Sequence, residues 1–192
     1  SKADCKSCAA GQKGAQSGSG DTAHTACVSC GNGQYSAAGA VVCNQCPKGQ
    51  FVPTAKQSAV LTSVADCEAC AAGTYGVVAT DLTPSCTSCP GGYYGASAGV
   101  LGCAACAAGK FAGSTGLTVC QDCPTGEVAS TASLACSACP TGRFSATDQS
   151  RCLTCALGSY LDGTTSADCK SCAAGEKGIL SGSGDTAYSA CV

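Results

Sequence analysis

The sequence predicts a small disulfide-rich repeat protein: short β-hairpins stacked into an extended rod, with little or no helix. Three observations predict it. Cys-x-x-Cys occurs ten times in 192 residues, beginning at Cys5, Cys27, Cys43, Cys67, Cys86, Cys103, Cys120, Cys136, Cys152 and Cys169. A glycine stands three places after every second cysteine, at Gly11, Gly33, Gly49, Gly73, Gly92, Gly109, Gly126, Gly142, Gly158 and Gly175. The residues that fill globular cores are sparse, since the 45% hydrophobic content is mostly Ala and Cys, with three Phe and no Trp or Met. A period this regular marks a repeat array, held by cysteine chemistry rather than by a core.

Energetics lead to the same place. Ordering the backbone costs roughly 1–2 kcal/mol per residue, and the 26 glycines raise that cost. Burial of small side chains does not offset it, whereas a 15-residue disulfide loop contributes ~3 kcal/mol by restricting the unfolded chain. The 21 cysteines therefore imply an oxidising, extracellular setting, secreted or at the cell surface. A net charge of -2 with 11% charged residues leaves no basic footprint for nucleic acid. No apolar run approaches the ~20 residues of a membrane span, so no membrane insertion is expected in this segment.

Each repeat reads as one hairpin. The glycine after the second cysteine supplies a backbone position free of Cβ, for a turn or a close approach. Two places later an aromatic opens a strand in seven of ten repeats: Tyr35, Phe51, Tyr75, Tyr94, Phe111, Phe144 and Tyr160. Turn glycines follow (Gly39, Gly99, Gly116, Gly163), and a second strand is expected to run into the next cysteine, as in Ala40–Cys43 and Leu117–Cys120. Arms of about five residues fit these loops. The aromatic is expected to cover the adjacent disulfide and form the core of its unit. Val128 is a partial substitute for it, and Lys13 and Lys177 replace it in a unit whose loops, Cys8–Cys27 and Cys172–Cys191, are longer and Gly/Ser-rich. Those loops are expected to form a flexible bulge or a contact point.

The chain reads as one continuous array over residues 1–192 with a second, longer period. Residues 3–28 recur as 167–192 with five differences, an offset of 164 residues. We expect a window on a longer tandem array, or one repeat of an assembly with equivalent ends. A partial gene duplication is the plainer alternative.

Two pairing schemes suit the cysteines. In the offset scheme the second cysteine of each pair bonds the first of the next: Cys8–Cys27, Cys30–Cys43, Cys46–Cys67, Cys70–Cys86, Cys89–Cys103, Cys106–Cys120, Cys123–Cys136, Cys139–Cys152, Cys155–Cys169 and Cys172–Cys191. Cys5 is left for a partner upstream. In the alternative, neighbouring pairs combine two by two, first to first and second to second. Nine pairs make up the long period, so that scheme would reverse its phase in each successive period, and identical sequence would adopt two pairings. The offset scheme has no such conflict and is favoured.

Other chemistries fit less well. Paired Cys-x-x-Cys motifs bind zinc in many proteins, but ten consecutive pairs would need five structural zinc ions. A thioredoxin-type site needs one tuned pair at a helix start, and none is present. His24 has Tyr188 as its equivalent, which argues against a general base. The carboxylates are scattered, and Asp21 and Asp185, each after Ser-Gly-Ser-Gly, read first as turn residues and second as weak calcium contacts. No catalytic residue, metal or cofactor is expected. There is no Asn-x-Ser/Thr acceptor, and Asn44-Gln45-Cys46 is a marginal one. Abundant loop Ser and Thr make O-linked glycans plausible partners, and small residues such as Ala37, Ala38, Ser97 and Ser114 suit a sugar coat or close lateral packing.

The phrases Cys43-Asn44-Gln45-Cys46-Pro47-Lys48-Gly49-Gln50-Phe51 and Cys136-Ser137-Ala138-Cys139-Pro140-Thr141-Gly142-Arg143-Phe144 resemble the ephrin-receptor-like cysteine-rich repeat. That group is related in style to the tumour-necrosis-factor-receptor and growth-factor-receptor modules, and long Ala/Gly/Thr-rich arrays of this kind resemble protist surface-coat proteins. The resemblance implies an extracellular stack of disulfide-bonded hairpins. Alanine replaces the family's proline at Ala9, Ala71, Ala107, Ala156 and Ala173, and no receptor-specific extra cysteines occur. The expected function is structural, as part of a fibre, coat or appendage that contacts copies of itself end to end or laterally. The alternative is a receptor-like or antigenic ectodomain that binds a protein or glycan.

Overall fold

A computed structural model describes residues 7–16, 24–56, 60–78, 84–165, 168–180 and 188–192. Cys5, the Gly/Ser-rich loop tips and the turn readings of Asp21 and Asp185 lie outside these residues. The described chain is a disulfide-rich array of ten two-stranded antiparallel hairpins with no α-helix. We number the modules one to ten in the order of their Cys-x-x-Cys pairs.

The hairpins, in order, pair Gln12–Gln16 with His24–Ser29, Gln34–Tyr35 with Asn44–Gln45, and Gln50–Phe51 with Glu68–Ala69. Next, Thr74–Val78 pairs with Pro84–Ser88, Tyr93–Tyr94 with Ala104–Ala105, and Lys110–Phe111 with Gln121–Asp122. The last four pair Glu127–Val128 with Ser137–Ala138, Arg143–Ser145 with Cys152–Thr154, Ser159–Leu161 with Cys169–Ser171, and Gly178–Leu180 with Tyr188–Cys191.

In half of the hairpins the second strand is not where the sequence pointed. Ala40–Cys43 and Leu117–Cys120 are bends and loop, and in five hairpins the strand is only the dipeptide between the two cysteines of the next pair, whereas His24–Ser29, Pro84–Ser88 and Tyr188–Cys191 do run into the cysteine. The register repeats: Tyr35 faces Asn44, Phe51 faces Glu68, Tyr94 faces Ala104, Phe111 faces Gln121 and Tyr160 faces Lys170. This explains the two-residue spacer. Side chains alternate along an extended segment, so cysteines three apart point to opposite faces. One reaches back to the previous module and the other forward.

Local chemistry sets the first strand. In every module the residue after the second cysteine accepts a hydrogen bond from the amide three places on, as in Pro47 O from Gln50 (3.0 Å) and Ala107 O from Lys110 (3.1 Å). The third residue of that turn is the recurrent glycine, at φ 75–92° in all ten modules. A turn with positive φ at its third position favours glycine.

Ten disulfides join the offset partners named above, from Cys8–Cys27 to Cys172–Cys191, with Cα–Cα distances of 5.5–5.8 Å. They close loops of 13–21 residues. Such a ladder belongs to an oxidising environment, and among the described residues no helix is long and apolar enough to cross a membrane.

The core differs from expectation. Most of the recurrent aromatics are half-buried, and the deeper position is the residue after the aromatic: Ser36, Val52, Ala112, Ala129, Ser145 and Leu161 are all buried. With them lie the second cysteines, Cys70, Cys89 and Cys106 at 0% exposure. The aromatics lean on this line. Tyr35 packs against Cys46, Val52 and Leu61, and Tyr94 against Cys106, Ala112 and Cys120. A ring on a two-residue strand covers the next bridge with one face and leaves the other in solvent, while the residue after it points into the seam. Modules approach too closely there for a large side chain in most repeats.

The chain divides into two compact units, Ser1–Ser88 with Ser97–Gly102, and Cys89–Ala96 with Cys103–Val192. Both are built by the same module-to-module contacts.

Candidate functional site

The feature that recurs, and that function can act through, is the seam between modules. Three elements meet there: the glycine turn of one module, the residue after the aromatic of the next, and the loop of the module beyond.

In the first unit the Gly11 amide donates to the Ser36 carbonyl (2.8 Å), and the Gly39 amide donates back to the Cys8 carbonyl (2.8 Å). The Ser36 hydroxyl donates to the Gln12 carbonyl (2.8 Å), which satisfies an otherwise buried polar group. The second unit repeats the arrangement. Gly92 donates to Ala112 O, Gly109 to Ala129 O, Gly116 to Cys89 O and Ala132 to Cys106 O, each at 2.8 Å. At Gly126 the acceptor is the Ser145 hydroxyl (2.9 Å). Because the other bonds are between backbone groups, variable side chains preserve them.

The module two places on then closes over the glycine. A methyl group on Gly11 would overlap Val60, and one on Gly49 would overlap the Gly99 carbonyl. At Gly92 the obstacle is the Ala132 carbonyl, at Gly109 the Asp148 carbonyl, and at Gly126 the Thr164 side chain. The invariant glycine thus serves the turn and also a socket. Sequence reasoning offered a turn or a close approach at this glycine, and the structure shows both, without the sequence having named what approaches; the supporting signal is that this glycine never gives way to Asn, which also tolerates positive φ.

Short capping motifs hold the loops before the first cysteines. Ser63 caps a single 3-10 turn, Val64–Asp66, and Asp66 accepts from the Thr62 amide (2.9 Å) and Ser63 amide (3.2 Å). Asp168 accepts from the Thr165 hydroxyl (2.7 Å) and amide (2.8 Å). Asp148 accepts from the hydroxyl and amide of Ser150. These bonds to the charged form lower all three carboxyl pKa values: the Thr62 amide chiefly at Asp66, the Ser150 hydroxyl at Asp148 and the Thr165 hydroxyl at Asp168. Cross-strand pairs Lys110–Asp122 and Lys170–Asp162 lie on the solvent side, and Asp162 raises the Lys170 pKa.

Of the residues weighed for other chemistry, the twenty paired cysteines are oxidised and have no thiolate to offer a metal. His24 begins the second strand of the first hairpin. Among the described residues no cluster of three His, Cys, Asp or Glu is arranged to hold a metal ion. A cleft of about 460 Å³ in the first unit is lined by Ala9–Gln12, Ser29–Gln34, Val60 and Leu61, with no acidic or basic side chain beside the Ser29 hydroxyl in that lining. Ala37, Ala38, Ser97 and Ser114 are exposed on the loops.

No protein-family model matches the chain, and no curated protein matches it.

Proposed function

We propose that this is a non-enzymatic, extracellular structural protein, a disulfide-laddered rod forming part of a fibre, surface coat or appendage. The observation that carries the reading is a double fastening that recurs at several seams: a disulfide to the neighbouring module, and backbone hydrogen bonds across the same seam. Tension along such a chain loads covalent bonds. A fold stabilised by small bridged loops rather than a large core also withstands heat and proteases. The resemblance to ephrin-receptor-like repeats and protist coat proteins, on its Cys-x-x-Cys and glycine phrasing, agrees with an extracellular array. Copies of the chain and O-linked glycans on the exposed loop hydroxyls are the partners this role calls for.

A receptor-like or antigenic ectodomain is the second reading. It is favoured by exposed aliphatics beside the first cysteines, with Val41 at 57%, Leu101 at 63% and Leu134 at 61% exposure, since apolar surface of this kind serves contacts.

Electron microscopy of the native, unreduced material separates the two. A structural fibre shows continuous filaments with an axial repeat matching the 164-residue period. Separate short rods tethered to membrane would overturn the fibre in favour of the ectodomain.

A further inference from the structure

The rings do not cover every bridge. Tyr35 packs on the bridge of the module after its own, Cys46–Cys67, and Tyr94 packs likewise on Cys106–Cys120. The bridge Cys30–Cys43 follows module one, where Lys13 stands in the ring's place. Cys30 is half-buried, whereas Cys46, Cys70, Cys89, Cys106 and Cys123, each in the module after a ring, are buried.

Two further features meet at this bridge. Ser36 Oγ lies 3.4 Å from Cys30 Sγ, and while the bridge is closed its hydroxyl donates to the Gln12 carbonyl (2.8 Å). Cys30 also lines the cleft of about 460 Å³, whose polar side chains, Gln12, Ser29, Asn32 and Gln34, are all uncharged. A thiolate released at Cys30 therefore meets a hydroxyl donor and open space. Module eight provides a comparison. Val128 precedes its bridge, Cys139–Cys152, and Cys139 is half-buried, but Ser145, in the place of Ser36, accepts from the Gly126 amide (2.9 Å).

We propose that Cys30–Cys43 is a thiol-exchange site, the bridge at which a low-molecular-weight thiol such as glutathione modifies the chain. The thiolate attacks Cys43 Sγ. A new S–S bond forms there as the Cys30–Cys43 bond breaks, and the electron pair leaves on Cys30 Sγ. Ser36 turns its hydroxyl from the Gln12 carbonyl to the Cys30 thiolate, which stabilises the leaving group. The products are a mixed disulfide at Cys43 and a thiolate at Cys30, with no net oxidation or reduction. Return attack by Cys30 restores the bridge and frees the thiol. While the bridge is open, the stretch between two cysteines 13 residues apart is free to extend. This goes beyond the structural role and holds for a fibre or an ectodomain alike.

The experiment exposes the intact, oxidised chain to glutathione at mildly alkaline pH, quenches with acid and maps each bridge by mass spectrometry. Glutathione is expected first on Cys43, with Cys30–Cys43 opening faster than Cys139–Cys152 by on the order of tenfold. Ser36→Ala separates chemistry from packing. Loss of a donor to the leaving thiolate slows exchange by on the order of tenfold, whereas a seam merely loosened by the lost bond to Gln12 exchanges faster. Lys13→Tyr, which restores a ring before the bridge, is expected to slow exchange as well. In Cys43→Ser, alkylation of Cys30 against pH is expected to have its midpoint below the ~8.5 of an ordinary cysteine. Opening in order of exposure, with Cys8–Cys27 first because Cys27 is exposed, overturns the proposal. So does an unchanged or faster rate in Ser36→Ala or Lys13→Tyr, or a Cys30 midpoint at or above ~8.5.

Discussion

A glycine that must be a glycine for two reasons predicts a graded response to alanine. At Gly109 an added methyl meets the cost of positive φ and the Asp148 carbonyl, and at Gly158 it meets only the first. We expect Gly109→Ala to destabilise the second unit by about 3 kcal/mol or more, and Gly158→Ala by about 1 kcal/mol, read from denaturant unfolding with the bridges intact. Equal effects would mean that the socket contributes nothing. Ala132 tests the converse. It occupies the place held by Gly39, Gly99 and Gly116 in other modules, with φ 61°, and makes the same bond to the previous module. Left-handed backbone costs a non-glycine residue about 1–2 kcal/mol, and glycine returns part of that as unfolded-state entropy. Ala132→Gly should therefore stabilise by up to about 1 kcal/mol, and a loss of stability in thermal unfolding contradicts this. The recurrent glycine was legible in the sequence. The buried line at Ser36, Ala112 and Ala129 was not, because small polar and apolar residues carry no signal of depth when the usual markers of a core are absent.

Hairpins two residues long owe their stability to what brackets them. Two-stranded hairpins are marginal alone in water, and here a bridge closes each loop while a glycine turn starts the first strand. That hairpins exist was legible in the aromatic and the turn glycines, but the second strands expected at Ala40–Cys43 and Leu117–Cys120 were misplaced. Ala40-Val41-Val42 and Leu117-Thr118-Val119 have strong β propensity, and propensity yields to register once the turn and bridge are fixed. Both stretches leave Val41, Val42 and Val119 exposed. The capping motifs before Cys67 and Cys169 add a pH dependence. The carboxyls of Asp66, Asp148 and Asp168 sit below their ordinary value of 3.8 in the folded chain. A lowered folded-state pKa means that their contribution is full above the unfolded value of about 3.9 and is lost as pH falls through the folded values. Carbon-detected NMR titration should therefore give midpoints below 3.8 for all three, with the Thr165 amide exchanging faster as Asp168 protonates. Midpoints at or above 3.8 would remove the capping role.

At the scale of the whole chain, the offset pairing converts a sequence period into a mechanical limit. Parity of the nine-pair period separated it from the alternative at the level of sequence alone, since a connectivity must repeat with the residues that make it. The division into two units was not legible, because every module carries the same cysteine and glycine signals. Under load, each closed loop is bypassed by its bridge, so the path runs through ten bridges of 5.5–5.8 Å between Cα atoms and the short Cys-x-x-Cys links. Single-molecule stretching between handles at the two ends tests the ladder directly. For the stretch from Cys8 to Cys191 the account predicts a full extension of about 150 Å when oxidised, rising to about 600 Å after reduction. An oxidised extension of about 300 Å, the value for pairs combined two by two, or one that reduction leaves unchanged, would contradict it.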